Sequence, residues 1–232
     1  MRLIKPYATI VNVSHLNSTR AIDNYGRICY KSEQSDSEEK QSFFVRKRIK
    51  EGHLSIIEHC TVTVGIVCDR GVSHELVRHR LASFSQESTR YCNYGSGHIT
   101  FIIPCWMTNT NEGIIEDHTG VPYYNENELR WLSAMAYAEN FYKELLNNGW
   151  TPQQARSVLP NSLKTELIMT ANLREWRHIF ELRCAKTAHP QMREIMIPLL
   201  CSFFTILPDF FHDLYIQFCG GTDERKEPNG LA

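Results

Sequence analysis

The sequence predicts an α+β domain in which helices flank a mixed or antiparallel sheet. Three observations carry this. Short stretches rich in β-branched residues (Ala8 to Val13, Thr61 to Cys68 and Thr165 to Ala171) read as strands. Longer stretches with apolar residues three and four apart read as helices. No internal repeat and no clear linker divides the 232 residues, so one domain is expected over 1–219, followed by a polar tail over 220–232.

Taken in order, Ala8 to Val13 opens the strand set. Ser18 is a candidate cap for a helix running to about Tyr30. Residues 32–42 are polar and acidic, and read as a loop or a helix start. Phe43 to Lys50 reads as helix, stopped near Gly52. After the strand at Thr61 to Cys68, Val72 to Arg78 has helical spacing, and Arg78 and Arg80 are then expected in extended backbone, pointing the same way. Ile99 to Ile103 is a short strand ended by Pro104. Residues 107–124 hold Asn, Thr, Gly and Pro and read as a surface loop. Asn127 to Asn147 is an amphipathic helix with Leu129, Leu132, Ala136, Phe141 and Leu145 on one broad face, ended by Gly149. Gln153 to Val158 is a short helix before Pro160, and Thr165 to Ala171 is the last strand. Helices follow at Leu173 to Lys186, Gln191 to Phe204 and Pro208 to Phe218. Phe203, Phe204, Phe210 and Phe211 exceed what one small core needs, so assembly as a homo-oligomer is expected.

Composition narrows the class. Hydrophobic residues make up 42% and charged residues 22%, which permits a sizeable core and argues against global disorder. A net charge of −1 offers no basic excess for nucleic acid. None of the eight cysteines forms a Cys-x-x-Cys pair, so they read as reduced and mostly buried small hydrophobes. The N-terminus shows no signal-peptide pattern. The longest apolar run, Ile195 to Leu207, is interrupted by Pro198 and is too short for a bilayer. A cytoplasmic protein with neither membrane nor nucleic-acid partners is expected.

Chemistry concentrates in three clusters. The first is Arg78-His79-Arg80, followed by Gln86, Ser88, Thr89 and Arg90. Guanidinium forks suit phosphates and other planar anions, and the hydroxyls and amide add short hydrogen-bonding arms. Surface ion pairing is the plainer role for such a run. Glu75 and Glu87 are too few to neutralise three arginines. The second cluster is His53-Leu54-Ser55-Ile56-Ile57-Glu58-His59. Its spacing is not that of a helical zinc motif, so no metal is expected, and His59 suits a structural hydrogen bond at the strand start. The third is Arg156, Asn172-Leu173-Arg174, His178 and Arg183. Arg174 and His178 share a helix face, whereas Arg183 lies about half a turn of phase away. Either the helix is distorted, or long side chains wrap, or the residues serve sites built from different subunits. Glu175 and Glu181 are possible ion-pair partners. Gly95-Ser96-Gly97 lacks the third glycine of a dinucleotide loop, and no Gly-x-Ser-x-Gly elbow makes Ser88 a hydrolase nucleophile.

These clusters, in this order, resemble the flavin-dependent thymidylate synthases. That family's signature is Arg-His-Arg, seven residues, then Ser, matched by Arg78-His79-Arg80 and Ser88, with Arg90-Tyr91 following. An upstream His-x-Ser/Thr-x-x-Glu-His pattern is matched by His53, Ser55, Glu58 and His59. Downstream, Ala155-Arg156, Leu159-Pro160, Asn172, Arg174, His178 and Leu182-Arg183 match in order. The resemblance implies conversion of dUMP to dTMP with FAD, NADPH and methylenetetrahydrofolate, in a homotetramer whose sites are shared between subunits. It places Ser55, Arg78, His79, Arg80, Gln86, Asn172, Leu173, Arg174 and His178 on FAD. It places Glu75, Leu76, Val77, Arg78, Gln86, Glu87, Ser88, Thr89, Arg90, Arg156 and Arg183 on dUMP, with Arg183 as the catalytic arginine that favours ionised N3 of uracil. Ile56 stands for a frequent proline, Glu75 for a glutamine, and Ser85-Gln86 for Asn-Glu. Two other classes fit parts of the pattern: a non-catalytic nucleotide- or RNA-binding module built on the Arg/Tyr segment, and a metal-dependent hydrolase using His53, His59 and His79.

Overall fold

A computed structural model describes residues 1–15, 17–108, 110–116 and 125–220. The elements are β1 (Arg2–Ile4), β2 (Tyr7–Val13), α1 (Ser18–Tyr30), α2 (Glu38–Lys50), β3 (Thr61–Asp69), α3 (Arg70–Leu76), β4 (Ala82–Gln86), β5 (Thr100–Ile102), β6 (Gly113–Ile114), α4 (Glu126–Asn147), α5 (Pro152–Ala155), β7 (Lys164–Asn172), α6 (Leu173–Arg183), α7 (Pro190–Ile206) and α8 (Pro208–Cys219). Two sheets form, with strand orders β5-β1-β6 and β2-β3-β7-β4. β1 runs parallel to β5 and antiparallel to β6. The class is α+β with mixed pairing. The expected tail over 220–232 lies outside the described residues except for Gly220, and so do residues 109 and 117–124 of the expected loop.

The chain divides into two compact units, Met1–Thr9 with Val64–Met169, and Ile10–Thr63 with the chain from Thr170 onward. In the first unit, Leu3, Phe101, Ile103, Leu132, Tyr142 and Leu163 share one apolar core. α4 starts with a capping box, Asn125 accepting from the Glu128 N–H while the Glu128 carboxylate accepts from the Asn125 N–H. Its buried face is Glu128, Leu132, Met135, Ala138, Glu139 and Tyr142. Phe141 was expected on that face and is instead 52% exposed. It lies one residue, about 100° of helical phase, from Tyr142. α3 is capped by Asp69, which accepts from the Val72 N–H at 2.8 Å, and it ends at Leu76 rather than Arg78. The Arg78 and His79 N–H groups then turn back onto the carbonyls of Glu75 and Leu76. Arg78 and Arg80 therefore sit in a turn, not in extended backbone.

In the second unit the cap of α1 is Asn17, which accepts from the Arg20 N–H, rather than Ser18. The acidic stretch is a helix start, with Ser37 capping α2 and Glu38 and Glu39 in its first turn. α1 and α2 approach closely at Gly26, where a Cβ would lie 2.7 Å from the Phe44 ring. Arg27 and Arg48 both stack over Phe44. Gly52, at φ +79°, ends the run after α2. The rings of Trp176, Phe180, Phe203 and Phe211 pack at centroid distances of 5.0 to 5.8 Å. Phe203, Phe210 and Phe211 are thus consumed by the chain's own core, and Phe204 stacks on Tyr215. The phenylalanine surplus is no argument for assembly. α6 stops at Arg183 rather than Lys186.

Cysteine burial is mixed: Cys60, Cys68 and Cys184 are buried, and Cys29 and Cys105 are exposed. Burial pushes the Cys184 thiol up to about 12. No described helix is long and apolar enough to cross a membrane.

Candidate active site

The first unit holds the arginine-rich signature. Arg78 and Arg80 are exposed on either side of a buried His79. Glu75 is half-buried, Leu76 faces the core and Val77 is exposed. Polar β4 carries the chain to Gln86. The Gln86 amide donates to Ser73 Oγ at 2.9 Å and Thr165 Oγ1 at 3.2 Å, and Ser73 donates in turn to the Arg70 carbonyl. The Glu87 N–H donates to the Glu166 carbonyl. Its carboxylate accepts from Tyr94 Oη at 2.6 Å and from Lys164 Nζ at 3.1 Å. Burial, and then the bond to Glu87, push the Tyr94 phenol far up. Burial opposes the charge on Lys164, but hydrogen bonds to Glu166 and Glu87 outweigh it and raise its pKa.

The chain turns sharply after Glu87. The Ser88 carbonyl accepts from the N–H groups of Tyr91 and Cys92, and the Arg90 N–H donates to Ser88 Oγ. Thr89 is buried, and Arg156 donates to its Oγ1 at 3.1 Å. Arg90 lies over the Tyr91 ring. Two exposed guanidiniums, Arg90 and Arg156, thus flank a tight hydroxyl-bearing turn, an arrangement suited to an anion.

The second unit holds the second cluster and, apart from Arg156, the third. Residues Leu54–His59 form a 3₁₀ turn. A cleft of about 420 Å³ is lined by Cys29, Tyr30, His53, Ser55, Ile56 and Arg174. Tyr30 Oη lies 2.6 Å from His53 Nδ1, and the two rings are nearly parallel. Arg174 pairs with Glu58 at 2.5 Å, not with Glu175 or Glu181. His59 packs edge-on against Tyr25 at 5.5 Å, a structural contact. Asn172 caps α6 by accepting from the Glu175 N–H at 2.8 Å. Leu173 is fully buried, with its N–H bonded to the Cys60 carbonyl, so it anchors the helix start. Burial pushes the Glu175 carboxyl up. Arg174 and His178 share the exposed face, and α6 continues unbroken to a half-buried Arg183, so helix distortion does not resolve the half-turn of phase.

Among the described residues no group of three or more His, Cys, Asp or Glu could hold a metal ion. The chemistry of the cleft does suit a flavin. It combines a flat Tyr30–His53 pair for an aromatic system, a Ser55 hydroxyl, and the Arg174 guanidinium for negative charge. Tyr30, Ser73, Tyr94, Lys164 and Thr165 were not singled out by sequence reasoning.

Residues 12–209 match the family model described as thymidylate synthase complementing protein. The chain is 39% identical over 152 residues to a flavin-dependent thymidylate synthase of Pyrococcus furiosus, covering 64% of this chain and 57% of that protein. It is 33% identical over 194 residues to a flavin-dependent thymidylate synthase of Geobacter sulfurreducens, covering 81% of this chain and 78% of that protein. The match thus spans little more than half the length of the Pyrococcus relative. A crystal structure of the UMP/dUMP methylase PolB from Streptomyces cacaoi, bound with 5-Br dUMP, superposes with a TM-score of 0.74 at 23% identity, covering 94% of this chain and 98% of that one. That likeness establishes the shared fold.

Proposed function

Because the chain belongs to the thymidylate synthase complementing protein family, the flavin-dependent thymidylate synthases, we propose that it reductively methylates dUMP to dTMP. Methylenetetrahydrofolate donates the carbon and NADPH the electrons, through FAD. The observation that carries this reading is the turn at Ser88–Arg90, with Arg90 and Arg156 exposed on a hydroxyl-rich segment. Such a segment can grip the phosphate of a nucleotide through charge-assisted bonds. Arg78 and Arg80 add donors on the same unit, and the Gln86 carbonyl oxygen adds an acceptor, because both hydrogens of its amide are taken by Ser73 and Thr165.

The second unit offers Ser55, His53 and Arg174 in one cleft, with Asn172, Leu173 and His178 at the start of α6, for the flavin. The flavin, when bound, supplies the hydride that completes the methyl group. The protein's own task is to orient the uracil and stabilise negative charge developing on it. Arg183 is assigned to that charge: a guanidinium beside N3 favours the ionised, electron-rich ring. The assembly is proposed to be a homotetramer. The exposed apolar side chains Val11, Ile28, Leu81, Tyr137 and Phe141 supply surface that association would cover.

Purified protein tests the reading. It should show flavin absorbance, with bands near ~370 and ~450 nm as that cofactor class gives. It should make dTMP only when dUMP, methylenetetrahydrofolate and NADPH are all present. Protein that stays colourless after FAD addition, or that makes no dTMP, would reject it.

A further inference from the structure

We propose that Lys164 is a positioning residue for the nucleotide: it neutralises Glu87 and turns that carboxylate away from the phosphate held by the adjoining turn. The inference rests on reading Ser88–Arg90 as the nucleotide-holding segment. Glu87 precedes Ser88 directly, so an acid stands at the threshold of a site meant for a dianion. Glu87, which the resemblance places on dUMP, is on this reading held off the ligand, because left to itself that carboxylate would repel it.

Both its oxygens are occupied. Oε1 accepts from Tyr94 and Oε2 from Lys164, and the two ion-pair side chains are only 17% and 19% exposed. Lys164 and Thr165 are successive residues at the start of β7, and their side chains leave the strand on opposite faces. Lys164 holds Glu87, while Thr165 holds Gln86. The backbone bond from Glu87 to Glu166 locks the register between them. One strand start therefore sets the direction of two consecutive signature side chains. Lys164 also pairs with Glu166 at 2.5 Å, which fixes the ammonium from its outer side. At the effective dielectric of about 20 found near a protein surface, a unit charge about 12 Å from a bound phosphate changes ligand affinity by about tenfold.

The test uses the full-length, flavin-loaded protein, with dUMP and its uncharged nucleoside, deoxyuridine, as paired probes. Lys164→Met should raise KM and Kd for dUMP about tenfold. Deoxyuridine binding, kcat and flavin content per chain should stay within about twofold. Adding Glu87→Gln to Lys164→Met should recover most of the lost dUMP affinity, because it removes the uncompensated charge, and Lys164→Arg should resemble the wild type. Should Lys164→Met fail to fold, Tyr94→Phe gives the same dUMP-selective loss in milder form. The idea is overturned if dUMP affinity is unchanged, if deoxyuridine suffers equally, or if Glu87→Gln brings no recovery. A wild-type protein that does not bind dUMP would instead defeat the functional reading itself.

Discussion

Thr89→Val separates binding from folding at the signature turn. Thr89 is 5% exposed, and its hydroxyl accepts from Arg156 at 3.1 Å. Valine has the same branched shape but no acceptor. A hydrogen bond to a charged group contributes roughly 1.5–3 kcal/mol when desolvated. Arg156 is exposed and recovers part of that from water, so about 1 kcal/mol is the figure to carry. The fold should lose little, because the freed guanidinium is hydrated and a methyl replaces a buried hydroxyl, so Tm should move by no more than about 2 °C. Binding should lose more. An Arg156 no longer held in place meets the phosphate with an entropy penalty, and Kd for dUMP should rise about fivefold. Calorimetric titration with dUMP and a thermal melt on the same preparation give both quantities. In an Arg156→Ala background the Thr89→Val effect should vanish. An unchanged Kd, or a Kd loss that persists without Arg156, would refute this account of the turn.

Other consequences follow from the same geometry. Trp176 donates its indole N–H to the Val62 carbonyl at 3.0 Å inside the ring cluster, so Trp176→Phe should cost about 2 kcal/mol from the lost bond and the incomplete filling. A Tm drop of about 6 °C would register it. Burial opposes ionisation of Asp213, but the two hydrogen bonds from Arg177 overcome it and hold the carboxyl below its usual range. The stability this adds is present above the ordinary carboxylate pKa and is lost as pH falls through the depressed one. Acid titration of Arg177→Met should therefore show a shallower loss of stability below about pH 4 than the wild type. Arg183→Ala should keep its flavin absorbance while losing most dUMP affinity and nearly all dTMP formation, and Arg183→Lys should not restore full turnover. Near-normal turnover in a stable, flavin-loaded Arg183→Ala protein would remove that residue from the mechanism.

The sequence made long, periodic elements legible and hid short ones. α1, α4, α7 and α8 were readable because apolar spacing repeats over three turns or more. β1 was missed: three residues carry no period, and its partner β5 lies about a hundred residues away. β4 was missed because Ala82–Gln86 is polar and half-exposed, so alternation leaves no apolar mark. Its strand character comes from its place beside β7. The same contrast governs the site. Arg78, Ser88, Arg90, Arg156 and Arg174 were singled out as candidates through family-like spacing. Tyr94 and Lys164 were not, because their role is contact. Lys164 reaches Glu87 across 77 residues, and nothing in its own neighbourhood advertises that.

α6 assigns different duties to different sides of one helix. Leu173, Trp176, Ile179 and Phe180 hold the fold, while Arg174 and His178 stand on the exposed side with Glu181 and Leu182. A change on the outer side removes no buried contact, so natural variation can alter what that surface meets without first threatening the scaffold. The inner side has no such freedom, since each ring there leans on several others. Descendants of this chain are therefore free to diverge along the outer line of α6 while the aromatic core stays fixed. Selection for new chemistry and selection for solidity would act on separate letters of the same eleven-residue word.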